Sequence, residues 1–542
     1  MPRPRLWPAV LVLLLGALWI GAAWLVGDSI RQVRVEHTLA ALALVALGLL
    51  AWLAFFSRLP RGVRRAAGLV SLALLALVPV VVRVRGVTGD LRPIVELRFR
   101  GEVPRPAPTA LPSATAAPAV PVPAPAAAAL PSEPAPTDVV ALRPAQAAFP
   151  APRPAAPPLP AFPQFLGPSR DATLAGPRLA RDWSARAPKR LWREALGEGW
   201  SGFAVADGIA VTQEQRGEQE QVVAYDARSG RALWSHADAA RYATVIAGVG
   251  PRATPTIEGG RVYTLGGTGL LNALELASGR RLWSHDVVRE TGAVVPDWGK
   301  SSSPLVVDGR VVVPGGGPGR ALVAYDARSG ELAWATGDGG ASYSSATLMT
   351  LAGRRQIVVL NARSLSGHDP ATGAVLWEQP FPSGQPNVAM PAQLGPDRLV
   401  ASVGYGVGSK AYRVAESGGS LAATLEWESP RLKSKFANLV VRGGFVYGLD
   451  DGVLSCLDPA SGERRWKAGR HGHGQLLLVG DLLLVQTEDG ELVLVDPAPD
   501  AYRELTRFAA LDGKTWNPPA LAGALLLVRN DREAAAYELP VE

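Results

Sequence analysis

One cysteine, Cys456, is all that the 542 residues contain, so no disulfide can close within the chain. No cysteine follows the first apolar run, where a lipid-modified residue would stand, and the chain reads as carrying no lipid anchor. Cys456 itself occupies a small-residue position of a repeated motif and is expected to be a buried core residue. Sites of chemistry are equally scarce. Gly315-Gly-Gly-Pro-Gly319 has neither a Lys-Ser/Thr pair nor a following helix and reads as a turn, not a phosphate cradle. His471-Gly-His473 lies on a Gly-rich loop without further ligands in sight. Ser301-Ser-Ser303 lacks a partnered His or Asp, and no Glu, Asn and Asp set can be assigned to a metal. No catalytic residue and no metal ligand is named. The net charge of +7 and pI near 9.6 invite a nucleic-acid reading. Residues 1–160, however, hold 16 Arg against 7 acidic side chains, leaving the remainder with 39 basic and 41 acidic ones. The basicity belongs to the N-terminal region, and a near-neutral remainder offers phosphate backbones no broad footprint.

What is present is a repeat. Ala224-Tyr-Asp226-Ala-Arg-Ser-Gly230-Arg-Ala-Leu-Trp234 returns as Ala273-Leu-Glu275-Leu-Ala-Ser-Gly279-Arg-Arg-Leu-Trp283, Ala324-Tyr-Asp326-Ala-Arg-Ser-Gly330-Glu-Leu-Ala-Trp334, Gly367-His-Asp369-Pro-Ala-Thr-Gly373-Ala-Val-Leu-Trp377 and Cys456-Leu-Asp458-Pro-Ala-Ser-Gly462-Glu-Arg-Arg-Trp466. The spacing of about 40 to 50 residues is the period of a four-stranded propeller blade. An acidic residue accepts backbone N–H bonds to open a tight turn, Gly supplies the positive φ that closes it, and the next strand delivers the Trp. A Trp buries about 150–250 Å², more than one blade covers alone, so each is expected to seal its blade against a neighbour. Weaker copies end at Trp192, at Trp427 after Glu416-Ser-Gly-Gly419, near Phe508 after Asp496-Pro497, and at Tyr537. Eight strand pairs fall between them, at Asp207-Gly208, Gly259-Gly260, Asp308-Gly309, Ala352-Gly353, Pro396-Asp397, Gly443-Gly444, Gly480-Asp481 and Gly523-Ala524. The fold class expected is an all-β eight-bladed β-propeller, with the Leu191-Trp192 strand pairing with the unfinished last blade to close the ring.

The pattern Ala-x-Asp-x-x-Ser/Thr-Gly-x-x-x-Trp resembles the tryptophan-docking motif of the PQQ-like (pyrroloquinoline-quinone repeat) β-propellers. Phe162-Pro-Gln-Phe-Leu-Gly-Pro-Ser-Arg170-Asp171 is similar to the opening segment of a bacterial branch of these repeats. The resemblance covers roughly 162–542. It implies kinship with two groups, both eight-bladed: the quinoprotein alcohol and glucose dehydrogenases, and the BamB-like, non-enzymatic propeller of outer-membrane β-barrel assembly. The dehydrogenases imply PQQ, a calcium or lanthanide held by Glu, Asn and Asp, a catalytic Asp, a Trp beneath the quinone and, in many, a vicinal disulfide. One cysteine excludes the last, and the compact repeats lack the insertions that build the catalytic pocket.

Ahead of the propeller stand three charge-free apolar runs, 6–26, 38–56 and 66–82, read as three transmembrane α-helices. Arg58, Arg61, Arg64 and Arg65 fill the second loop, whereas Arg31 and Arg34 are offset by Asp28 and Glu36 in the first. The positive-inside rule then puts the N-terminus and second loop in the cytoplasm and exports the propeller. Were 1–26 a cleaved signal peptide, two helices would remain and the outcome would be the same. Between 103 and 163 lie 19 of the chain's 47 prolines. Such a Pro/Ala-rich linker builds no packed core and, as polyproline II at about 3.1 Å per residue, reaches on the order of 150 Å. The domains expected are a membrane anchor 1–83, a juxtamembrane segment 84–102 that lies on the membrane or forms a short strand, a disordered linker 103–161, and the propeller 162–542.

Repeated Trp and Gly positions are structural: Trp234, Trp283, Trp334, Trp377, Trp427 and Trp466, with Gly230, Gly279, Gly330, Gly373 and Gly462. Function is expected on the loops before each innermost strand, which align as Gly199-Trp200-Ser201, Pro251-Arg252-Ala253, Gly299-Lys300-Ser301, Ser342-Tyr343-Ser344, Pro386-Asn387-Val388, Ser434-Lys435-Phe436, Gly472-His473-Gly474 and Gly513-Lys514-Thr515-Trp516. Arg252, Lys300, Lys435, His473 and Lys514 would ring one mouth of the channel, with Trp200, Tyr343 and Trp516 as aromatic faces, focusing field on an anionic ligand or acidic peptide; the competing reading is solvated loop residues at spread positions. The function expected is a non-enzymatic binding or protein-interaction scaffold in the cell envelope, multi-pass in the bacterial inner membrane with the propeller periplasmic. Its partners would be envelope proteins, with no nucleic acid and no cofactor. The alternatives are a PQQ-dependent dehydrogenase with calcium and a small-ligand-binding propeller.

Overall fold

The computed structural model describes residues 5–25, 31–99, 159–244 and 246–542, and nearly all of the linker expected at 103–161 lies outside these. Helices α1 (Trp7–Leu25), α2 (Arg31–Ala51, carried on by a π-helical turn Trp52–Phe56) and α3 (Arg61–Val81) are each long and apolar enough to cross a membrane. They begin at Trp7, Arg31 and Arg61, so α2 and α3 start ahead of the apolar runs. Helices α1 and α2 approach closely at Gly16, which faces Val45, and at Gly48, which faces Val12, the small-residue contact favoured between helices in lipid. Indole N–H groups add cross-links: Trp24 donates to Thr38 Oγ1 at 2.9 Å and Trp52 to the Arg5 carbonyl at 2.7 Å.

Directly after α3 the chain forms a hairpin of β1 (Val82–Val87) and β2 (Pro93–Leu97), paired antiparallel from Val82 with Leu97 to Val87 with Pro93. The alternating Val and Ile residues suit a strand. Its connection closes on itself: Leu91 N–H donates to the Thr88 carbonyl and Thr88 N–H to the Arg92 carbonyl, both at 2.9 Å.

The remainder is all-β and propeller-like. Among the described residues, eight sheets of four or five strands follow in chain order, their strands antiparallel within 204–238, 256–286, 305–336, 347–380, 392–429, 440–470, 475–509 and 520–538. The seventh gains β3 (Thr173–Leu174), and the last is completed by β4 (Lys189–Ala195) from the far end of the sequence, with Trp192 opposite Ala536. Each full motif copy joins the third and fourth strands of its sheet. In the first copy Ser229 N–H donates to Asp226 Oδ1 at 2.8 Å, Gly230 N–H donates to the Asp226 carbonyl at 2.9 Å, and Gly230 has φ 72°. The motif's small residue lies directly opposite the Trp, as Ala224 to Trp234, Ala273 to Trp283, Ala324 to Trp334, Gly367 to Trp377 and Cys456 to Trp466.

Trp and Gly serve different copies. Trp192, Trp234, Trp283, Trp334 and Trp427 lie over Gly230, Gly279, Gly330, Gly373 and Gly462 of the sheet that follows, so closely that a Cβ on the glycine would clash with the indole. Each indole N–H also donates across the junction, from Trp192 to Ala227 at 3.0 Å, Trp234 to Leu276 at 2.8 Å and Trp427 to Pro459 at 2.9 Å. Trp466 keeps the bond, to Ala498 at 2.9 Å, although its receiving copy has lost the glycine. Trp377 faces the stretched copy, has no turn to dock on, and bonds Gln356 of its own sheet instead.

The opening segment 162–171 crosses the innermost strands. Phe162 bridges Val205, and Ile257 N–H donates to the Pro163 carbonyl at 2.7 Å. The buried Arg170 guanidinium donates to the carbonyls of Ser303, Pro304 and Ala346, and to Gln164 Oε1 at 3.2 Å.

Candidate functional site

The aligned loops before the innermost strands converge on the channel, where Trp200, Arg252, Tyr343 and Trp516 line a cavity of about 230 Å³. Phe165 of the opening segment lines it from one side, and Val87, Thr88, Gly89 and Leu91 of the hairpin tip from the other. An unbroken chain of rings forms the wall: Trp200 to Trp516 at 4.9 Å, Trp516 to Phe436 at 4.9 Å, Phe436 to Trp298 at 6.3 Å and Trp298 to Tyr343 at 5.0 Å, with Tyr405 5.9 Å from Trp298. Trp298, Tyr405 and Phe436 were not among the expected mouth residues. Trp298 and Phe436 lie within or next to the aligned loops and were legible by position. Tyr405 sits on a second-to-third strand turn with φ 59°, where no repeat signal marks it. The buried Trp200 indole N–H has no hydrogen-bond partner among the described residues.

Three of the five expected cations meet at the tip of the hairpin. Lys435 Nζ donates to the Gly89 carbonyl and to Gln32 Oε1, both at 3.1 Å, and lies 5.1 Å from the Tyr405 ring centre. Lys514 Nζ donates to the Val87 carbonyl at 3.2 Å while stacked 4.5 Å over Trp200 and 4.0 Å over Trp516. His473 Nε2 pairs with Asp90 Oδ1 at 3.0 Å. Arg252 lines the cavity wall, its guanidinium bonded to the carbonyls of Ala247, Gly248 and Gly250 and set 4.7 Å over the Tyr242 ring. Lys300 is turned away from this cluster: its buried ammonium donates to the carbonyls of Pro314 at 2.9 Å and Gly315 at 2.6 Å.

Burial sets the electrostatics. It lowers Lys300 to about 8 and holds Lys435 below the ordinary lysine range, against the opposing pull of Asp451, Asp90 and Glu488. Glu488 is the acceptor at the centre, taking N–H bonds from Gly89 at 2.6 Å, His473 at 3.1 Å and Trp516 Nε1 at 2.9 Å. His471 is separate from His473: burial lowers it to about 4, and its ring faces the Tyr502 hydroxyl at 3.4 Å.

A calcium-bound quinone requires several carboxylate and carbonyl oxygens converging on one ion. Here Glu488 is committed to three N–H groups and Asp90 to His473. Among the described residues no three His, Cys, Asp or Glu side chains gather closely enough to hold a metal ion. The donor set does not fit that group.

In sequence, the family described as outer membrane protein assembly factor BamB matches residues 178–297 and 218–468, together more than half of the chain. No curated protein matches it. Among solved structures, the chain is similar to BamB from Moraxella catarrhalis at 15% identity and a TM-score of 0.48, covering 65% of this chain and 100% of that one. It is similar to a europium-containing methanol dehydrogenase at 12% identity and 0.44, covering 70% and 98%. The quinohemoprotein alcohol dehydrogenase from Comamonas testosteroni follows at 14% and 0.41, covering 71% and 81%.

Proposed function

The chain belongs to the PQQ-repeat propeller family of the outer membrane protein assembly factor BamB, and from that premise we propose that it is a membrane-anchored binding scaffold of the cell envelope. Its eight sheets are eight blades of a closed ring, its divisions are 1–83, 84–102, 103–161 and 162–542, and protein partners are taken at the channel mouth. The observation that carries this reading is that the mouth already grips polypeptide: Lys435, Lys514, His473 and Glu488 bond the main chain and carboxylate of residues 87–90. These are peptide-recognising contacts, with aromatic faces beside them to exclude water.

Placement in the bacterial inner membrane with the propeller exported draws support from the same contacts. The two ends that the positive-inside rule assigns to the outer side, the start of α2 and the segment after α3, supply Gln32 and Gly89, and both meet Lys435. A second reading, a small-ligand propeller, is favoured by the aromatic-walled cavity and the unpartnered Trp200 N–H. Among the described residues no donor set supports an oxidoreductase reading.

The test is affinity capture from detergent extract with the full chain as bait. Envelope proteins captured by the native chain and lost with Lys435→Glu and Lys514→Glu support the scaffold; capture unchanged by both substitutions overturns the mouth as its binding surface.

A further inference from the structure

Resting on the reading of the mouth as a polypeptide-binding site, we propose that the juxtamembrane hairpin is its resident ligand: the Val87–Asp90 tip plugs the channel, and an outside partner enters by presenting a Gly-Asp turn that displaces it. The contacts come from three different sheets. Lys435 precedes the sheet at 440–470, His473 precedes and Glu488 lies within that at 475–509, and Lys514 precedes that at 520–538. Each takes a different group of the tip. Glu488 accepts the Gly89 N–H, Lys435 donates to the Gly89 carbonyl, Lys514 donates to the Val87 carbonyl, and His473 pairs with the Asp90 carboxylate. Donor, two acceptors and an anion in fixed order amount to a code for a turn, and it is read through the backbone except at Asp90.

Gly89 makes the fit specific. A Cβ built there would run into the His473 ring, 2.6 Å from Cγ, so the receptor excludes any side chain at this position. The hairpin also arrives in its bound shape, since Thr88, Leu91 and Arg92 already hydrogen-bond among themselves and Leu91 holds φ 60°. A preformed turn loses little entropy on docking. Off the tip, the half-exposed Arg532 pairs with Glu96 at 2.9 Å.

Tip and receptor are parts of one chain, so docking is intramolecular and a competitor faces an effective concentration of about the millimolar range. The mouth is thereby closed to weak or accidental peptides. A partner must either add contacts beyond the turn or pull the hairpin away. The docked state holds the mouth against the hairpin that follows α3.

Hydrogen–deuterium exchange of the full chain in nanodiscs tests the docking. Segment 86–92 is expected to be protected in the native chain, and Gly89→Ala to speed its exchange about tenfold or more, together with that of 472–474 and 513–516. The sheets are expected to exchange unchanged, which separates undocking from misfolding. Free-chain exchange of 86–92 in the native protein, or an unaltered pattern in Gly89→Ala, overturns the proposal. A synthetic peptide of residues 82–99 supplies the second arm. It is expected to bind the Gly89→Ala chain at least about tenfold more tightly than the native chain, because the site is vacated; equal binding to both overturns the plug. Protection at 86–92 with no protein captured by the bait sinks the scaffold alone, and free exchange there with a partner captured through Lys435 sinks the plug alone.

Discussion

At Gly279 two demands coincide: φ of 73°, which favours glycine, and the Trp234 indole within 2.7 Å of where a Cβ would stand. Gly259 makes only the first demand, with φ 56° and open space around it. Gly259→Ala is therefore expected to cost about 1 kcal/mol and Gly279→Ala about 3 kcal/mol or more, strain and overlap adding. Thermal melts of the two variants side by side check this; equal losses would mean that the indole yields freely. Lys300 carries a second expectation. Its folded value of about 8 lies below the ordinary lysine value of 10.5, so between these pH values the unfolded chain binds the proton and the folded chain does not. Stability contributed by this site must then rise with pH across that window and be flat below it. Urea denaturation of native and Lys300→Met chains at pH 7 and pH 10 measures it: the native chain gains on the variant at the higher pH, and a constant difference refutes the assignment. Both the Trp and the Gly of the motif were legible from residue types alone. That they meet in neighbouring copies follows from how successive sheets pack, and Lys300 could not be told from Lys435 because nothing in Gly299-Lys300-Ser301 shows whether the side chain turns to carbonyls of its own sheet.

Among the elements, the opening segment depends on one side chain. Arg170 is fully buried, and its fork supplies donors to three carbonyls just ahead of two sheets besides Gln164. Arg170→Met orphans those carbonyls and is expected to cost about 3 kcal/mol or more. Arg170→Lys is expected to recover only a minor part, since one ammonium cannot span the set. Limited proteolysis gives the element-level readout: cleavage near 162–174 in Arg170→Met before the sheets melt, whereas simultaneous loss of segment and sheets would deny the segment a latch role. A buried arginine is hard to read from sequence because most arginines are exposed. For the juxtamembrane segment a short strand is one of two readings, and what escapes, for a related reason, is its docking. Val82–Val87 and Pro93–Leu97 have strand character, but the residues that fix them, Lys435, His473, Glu488 and Lys514, stand hundreds of positions away. The sheets, by contrast, are announced by their turns, and all eight first-to-second strand turns fall at the turn pairs read from the sequence, four of them Asp-Gly or Gly-Gly.

For the whole molecule the decisive question is which side of the membrane the sheets occupy, and the chain's poverty in cysteine provides the means. Cys456 is fully buried, and burial raises its thiol to about 11, so it is neither reachable nor reactive near neutral pH. The native protein should therefore be blind to a membrane-impermeant maleimide, and any single introduced cysteine reports alone. Arg58 lies in the short connection between the second and third helices and Arg228 on an exposed motif turn, both open to reagent. If the arginine-rich connection is cytoplasmic, three crossings put the sheets outside. In spheroplasts Arg228→Cys is then expected to label at once and Arg58→Cys only after lysis. The reverse order would put the mouth, the hairpin and Gln32 in the cytoplasm together, since their contacts tie them to one side, and the envelope role would fall with the topology. Labelling of both before lysis would break the count of three crossings instead.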